Sequence, residues 1–317
     1  MQTLSHSLRN KFVRDMSLPI SVVQDPYWQH QIDYLDAQYG THEKIKILER
    51  SLGEFSDENA FLSNMSAVRQ HIIDHIQSKE AYKVYNDVMA PKVDIPYPQK
   101  NIYHPDYCFP TTEYKGEMSR DYRLVSIDLK KANFQTFRCF NPEVVDNCRT
   151  YEDFAKQFTD SEYFLASKQI RQTIFGKLNP KRQQRWQKVI MNDLLTILDS
   201  WSKMGRAEVI SVSSDEIILR TELTVDVIRS FFDECDYDIK VEDFVVSALT
   251  GLKSQQASVV YIKTFFDMSF TLKCCPSNYV METLRHLNRE TPCELDRVFY
   301  SDGRLCQYQE PLFKGDV

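Results

Sequence analysis

The residues of this chain best suited to chemistry are three carboxylates far apart in sequence. Asp128 ends the run "YRLVSIDL" (122–129), and Asp215 and Glu216 are adjacent within "EVISVSSDEIILRTEL" (208–223). The second run is apolar on both sides of a small polar knot, Ser213-Ser214-Asp215-Glu216, and reads as a β-hairpin with the knot at its tip. Tight hairpins usually place Asn-Gly or Asp-Gly there, so the paired acids call for another reason. Carboxylates gathered from distant segments repel one another unless a cation sits among them, and Mg2+ (or Mn2+) takes such hard oxygen ligands. Two ions about 3.5–4 Å apart stabilise both the attacking and the leaving oxygen of a phosphoryl transfer. The expected metal ligands are Asp128 and Asp215, and the expected catalytic set is Asp128, Asp215 and Glu216.

A net charge of −6, from 39 basic and 45 acidic residues, argues by itself against a nucleic-acid binder. The distribution of charge argues the other way. Residues 161–190, "SEYFLASKQIRQTIFGKLNPKRQQRWQKVI", carry seven basic residues (Lys168, Arg171, Lys177, Lys181, Arg182, Arg185 and Lys188) against one acid, Glu162. Such a surface suits a triphosphate and a nucleic-acid backbone, because phosphoryl transfer relies on positioning and charge neutralisation. Tyr163, Phe164 and Trp186 lie among these charges and could stack on bases. The plainer alternatives are a solvated helix face and core aromatics.

The elements that must position these residues can be read from periodicity and punctuation. Residues 24–90 are helical in pattern: Asp25-Pro26 opens one helix, Gly40 closes it, and Ser56 or Asp57 caps a second over 56–89. A proline-rich stretch (96–121) has no period and marks a linker between a helical N-terminal region (1–95) and the rest. Then follow a strand (122–129), helices around 142–158, 160–178 and 181–203, strands at 207–212 and 216–223, a helix at 224–235 and a strand at 237–249. This βαββαβ order predicts an α+β fold, an antiparallel sheet with helices on one face, over 122–250. Two more strands (257–265 and 269–275), a helix (277–288) and a loop-rich tail make a C-terminal extension over 251–317. The eight cysteines show no C-x-x-C pair and no zinc-ligand rhythm with the seven histidines, and "HPDYC" (104–108) is a lone His and Cys in a loop. Reduced, structural thiols and an intracellular protein are expected, with neither a signal peptide nor a membrane span.

Three runs together resemble the palm of a nucleic-acid polymerase, closest in wording to the family A DNA polymerases. "SIDLKKANFQTFR" (126–138) is similar to the family's strand-end Asp and following helix. "RQTIFG" (171–176) is similar to its basic residue followed by Phe-Gly, and "VSSDEIIL" (212–219) to its His-Asp-Glu hairpin. The resemblance implies a template-dependent nucleotidyltransferase with Asp128 and Asp215 as metal ligands. It further implies Arg171 and Lys168 at the triphosphate, Phe175 beside the incoming base or sugar, and Asn133 at the sugar 2′ position. The helices over 160–203 would act as fingers, with Lys177, Lys181, Arg182, Arg185 and Lys188 on nucleic acid. Primer–template, nucleoside triphosphates and other replication proteins are the implied partners. This chain departs from the family at Ser214, in place of His, at Ser167, in place of Arg, and at Asn179, in place of Tyr. Those departures leave two alternatives: a non-catalytic, nucleic-acid-binding accessory protein with a palm-like fold, or a metal-dependent nuclease.

Overall fold

The computed structural model describes residues 4–99, 102–103, 112–113, 123–249, 259–309 and 312–313. The N-terminal region is five helices: α1 (His6–Asp15), α2 (Tyr27–Tyr39), α3 (Thr41–Leu52), α4 (Glu58–Ser78) and α5 (Glu80–Asp87). Gly40 adopts φ 60°, a left-handed conformation that lets one residue close α2 and open α3. Asp57 caps α4 by accepting the Ala60 N–H at 2.8 Å. The helix expected over 56–89 breaks at Lys79 into α4 and α5, and α1 lies ahead of the stretch that looked helical.

β1 (Thr112–Glu113) precedes the central strand β2 (Leu124–Leu129). After β2 come α6 (Ala132–Phe140), α7 (Tyr151–Ala155), α8 (Glu162–Ala166), α9 (Lys168–Gly176) and α10 (Pro180–Lys203). Ser167 separates α8 from α9, where its hydroxyl accepts the Ile170 N–H at 3.1 Å as an N-cap. The chain continues through β3 (Ala207–Val212), β4 (Glu216–Thr221), α11 (Val225–Ser230) and β5 (Ile239–Leu249). It ends with β6 (Val260–Phe265), β7 (Phe270–Lys273), α12 (Val280–Leu287), β8 (Val298–Ser301) and β9 (Arg304–Gln307).

The main sheet runs β3-β4-β2-β5-β6-β7 with every neighbouring pair antiparallel, and β1 adds a short parallel pairing to the far end of β5. The first four strands in that order are the expected βαββαβ sheet, with the first strand in chain order lying between the third and the fourth. The β6–β7 hairpin extends the same sheet rather than standing apart, and β8 and β9 form a separate hairpin in the expected loop-rich tail.

Side-chain alternation sorts the two faces of the sheet. Val125, Ile127 and Leu129 of β2, with Val209, Ile217, Leu219 and Val241, pack under α10 and α11. Leu124, Ile218, Phe244, Val246 and Tyr261 lie on the opposite face, partly covered by Ile102 and Tyr103. A larger core joins α1–α5 to α6–α9 and to α12, so of the helices expected as fingers α8 and α9 share one interior with the N-terminal region, while α10 packs on the sheet. The 96–121 linker therefore separates segments of sequence but not hydrophobic cores. Among the described residues no helix is long and apolar enough to cross a membrane, and the seven described cysteines are free thiols.

Candidate functional site

The register of the sheet brings the three sequence-distant acids to one end. Asp128 lies opposite Glu216 of β4, and the Leu129 N–H donates to the Asp215 carbonyl at 2.7 Å. The hairpin tip is built by Ser213. Its N–H donates to the Glu216 carbonyl at 2.8 Å, and its hydroxyl accepts the Glu216 N–H at 3.0 Å. Neither Ser214 nor Asp215 takes a positive φ, so the serine side chain replaces the glycine that a tight hairpin would otherwise need. The expectation that turn chemistry could not account for this knot is thus corrected: Ser213 accounts for the turn, which leaves the acids free to be used. The Asp215 carboxylate accepts from both the Ser213 and Ser214 hydroxyls at 3.2 Å.

Asp128 points to the face opposite α10 and α11, as Ser126 does, because it alternates with Ile127 and Leu129. Burial, with the charges of Asp215 and Glu216, pushes its carboxyl up to about 6, against a lowering pull from Lys263. The strand register and the hairpin contact put the three acids at the same end of the sheet. Two further residues belong to it that sequence reading missed. Lys263 of β6 is 6% exposed, with its ammonium 3.6 Å from Glu216 Oε1, 3.5 Å from Ser126 Oγ and 4.1 Å from the centre of the Phe244 ring. Burial pulls its pKa down while Glu216 and Glu242 hold it up. Glu242 of β5 pairs with Lys240 at 2.7 Å and adds negative charge near Asp128. The available signal was a single Lys inside the apolar run "SVVYIKTFF" (258–266).

The donor set suits a hard divalent ion in part. Two carboxylates, one raised by burial and further by its like-charged neighbours, are a pair that Mg2+ or Mn2+ would relieve. Glu216, however, already faces Lys263. Among the described residues, Asp128, Asp215 and Glu216 do not bring three ligand oxygens within 4.8 Å of one another. Glu216 is turned to the lysine, which leaves Asp128 and Asp215 as the acids of the cluster without a basic partner at salt-bridge distance among the described residues.

The helical candidates divide sharply. Lys168, Lys177, Lys181, Arg185 and Lys188 are exposed. Arg182 is structural, because its guanidinium donates to the carbonyls of Tyr85, at 2.9 Å, and Val88 and so ties α10 to the end of α5. Arg171 lies half-buried with its guanidinium 5.5 Å from the centre of the Tyr151 ring. Phe175 is fully buried against Phe134, Phe137 and Tyr151, so its assignment to an incoming nucleotide is corrected to a core role. Tyr163 and Phe164 are likewise buried, and Ser167 and Asn179 serve as caps of α9 and α10. Asn133 accepts from Gln187 Nε2 at 2.9 Å, which ties the start of α6, just past Asp128, to the basic helix α10. Lys188 reaches Gln99 at 3.4 Å, and the adjacent Pro98 carbonyl accepts the Val212 N–H at 2.9 Å, so residues 98–99 join α10 to the carboxylate hairpin. His104 and Cys108 lie outside the described residues.

An open concave surface runs along the sheet edge from Glu208, Arg220 and Glu222 past Arg123 and Asp243 to Phe266, and it reaches the cluster only through Lys240 and Glu242. The carboxylates therefore sit beside an open groove and not at its centre. Comparison with known proteins gives no match: no protein-family model, no curated protein and no solved structure corresponds to this chain.

Proposed function

We propose that this protein is a template-dependent nucleotidyltransferase that joins nucleotides by phosphoryl transfer at the Asp128–Asp215 cluster. One observation carries the reading. The βαββαβ sheet sets Asp128 at the end of its central strand, opposite the hairpin that bears Asp215 and Glu216, where burial first and those charges second raise it to about 6. Asp128 and Asp215 would hold Mg2+ or Mn2+, which when bound supplies neutralisation of the charge developing on the transferred phosphoryl group. The residues of the chain do the rest. Glu216 anchors the Lys263 ammonium beside the site, and Arg171 and Lys168 at the start of α9 offer positive charge for a triphosphate. The exposed lysines of α9 and α10, with Arg185, track a nucleic-acid backbone.

The test is extension of a labelled primer on a DNA or RNA template with Mg2+ or Mn2+. Extension by the wild-type protein, abolished by Asp128→Ala and by Asp215→Ala, is expected. Template degradation without extension would reassign the same carboxylates to a metal-dependent nuclease. A second reading, an accessory protein that binds nucleic acid without chemistry, is favoured by Lys263, whose buried ammonium already neutralises part of the cluster. Retained binding with no extension under either metal supports that reading over catalysis.

A further inference from the structure

A second constellation lies away from the carboxylate cluster, where the N-terminal helices meet the C-terminal segment. His30 of α2, Cys293 and Asp296 bring one ligand atom each to within 4.8 Å of one another, and they are the only described residues that form such a group of three. His30 Nε2 lies 2.7 Å from Asp296 Oδ1 and 3.6 Å from Cys293 Sγ. The Asp296 side chain is fully buried. Its other oxygen, Oδ2, accepts from the Cys293 N–H at 2.8 Å and from Arg285 Nε at 3.2 Å, which fixes the carboxylate with Oδ1 turned toward the histidine. A buried carboxylate oriented in this way by neighbouring donors is how proteins aim a metal ligand.

The geometry is a poor fit to a nucleophilic triad. A Cys-His-Asp relay uses the two different ring nitrogens of the histidine, one for the thiol and one for the carboxylate. Here Cys293 and Asp296 both meet Nε2, so the three atoms converge on a single point. Convergence of sulfur, imidazole nitrogen and carboxylate oxygen is the pattern of a tetrahedral zinc site. Ligand bonds of about 2.3 Å for sulfur and about 2.0–2.1 Å for nitrogen set a sulfur-to-nitrogen separation of about 3.5 Å. The observed 3.6 Å matches that separation, while the 2.7 Å between nitrogen and oxygen has to open by roughly 0.6–0.7 Å to reach its tetrahedral value. A borderline-soft donor set of this kind selects Zn2+ over Mg2+.

We propose that His30, Cys293 and Asp296 form a Zn2+ site that staples α2 to the C-terminal segment, with the fourth position left to water. On binding, the Cys293 thiol gives up its proton to solvent, and His30 coordinates through Nε2 as the neutral ring, its hydrogen lost from Nε2 to solvent and regained from solvent at Nδ1. The site is independent of the proposed nucleotidyl transfer, and its test does not use activity.

The experiment treats the full chain with chelator, then titrates it with Co2+ as a spectroscopic stand-in and with Zn2+ in a thermal melt. The expected result is one equivalent of Co2+ with a thiolate charge-transfer band and tetrahedral d–d bands, together with a melting temperature that rises with Zn2+. Cys293→Ser should remove the charge-transfer band and His30→Ala should weaken binding at least tenfold, whereas Cys306→Ser should leave both unchanged. Circular dichroism of each variant separates loss of the site from loss of the fold. Should Cys293→Ser fail to fold, His30→Ala with the wild-type titration still decides the matter. The absence of a thiolate band in the wild type, or its persistence in Cys293→Ser, would overturn the proposal and leave the three residues as a hydrogen-bonded cluster only.

Discussion

Asp128 stands half-buried at the end of the central strand with acids on the neighbouring hairpin, and its carboxyl is pushed up to about 6 by burial first and by those charges second. A native state that keeps a proton the unfolded chain has already released loses relative stability as pH rises. For Asp128 that loss begins near the ordinary carboxylate range, accumulates up to about pH 6 and is constant above it. Asp128→Asn removes the titration while keeping the shape. The variant should therefore melt higher than wild type at pH 7.5, and the gap should shrink towards pH 4. A pH-independent gap in thermal melts would show that the carboxyl does not titrate near 6. Mn2+ at pH 7.5 should raise the melting temperature of the wild type and leave Asp128→Asn unmoved, because a cation among the acids supplies the neutralisation that the substitution otherwise provides.

Among the elements, α9 shows where sequence and structure part company. Its run "RQTIFG" carries a basic residue and a Phe-Gly in a suggestive order, yet Phe175 fills the space between α6 and α7 and meets Phe134, Phe137 and Tyr151. Phe175→Ala should cost about 3–5 kcal/mol of unfolding free energy in a denaturant titration, the loss typical of a buried aromatic, and a substitution that left stability unchanged would reopen the nucleotide assignment. The strands were legible because they alternate or run apolar between turn residues, as in Val125 and Ile127 or in the pair flanking Ser213. The β8–β9 hairpin was also written in the sequence, in its Asp302-Gly303 turn with both residues at positive φ, but its four-residue strands are too short and polar to stand out. α1 has Leu8 and Phe12 as its buried apolar anchors, which is too little periodicity to recognise. What no single segment could reveal is anything made by register: Lys263 joins the acids only because β6 pairs with β5, and His30 meets Cys293 across nearly the whole chain.

At the scale of the whole molecule, an acidic protein carries a run of exposed positive charge along one helical surface, and this arrangement governs how it would meet a polyanion. Lys181, Arg185 and Lys188 are exposed on α10 and Lys177 in the turn before it, whereas Arg182 is spent on backbone carbonyls at the end of the N-terminal helices. Substituting the four exposed residues by Glu should leave folding intact, since none of them is part of a core. If each contacts one phosphate of a single strand, losing the four should lessen the steepness of log affinity against log salt by about 3, at roughly 0.7 per phosphate. Arg182→Ala should do the reverse, lowering the melting temperature through the loss of the α5–α10 tie while leaving the salt slope of the folded protein unchanged. Fluorescence anisotropy with a labelled oligonucleotide across a salt series reads both. Equal slopes for the wild type and the fourfold variant would move the nucleic-acid path off α9 and α10 and onto the open groove beside Lys240 and Arg220. In that case the net charge of −6 would reassert itself, and Asp128 and Asp215 would need a substrate other than a long polyanion.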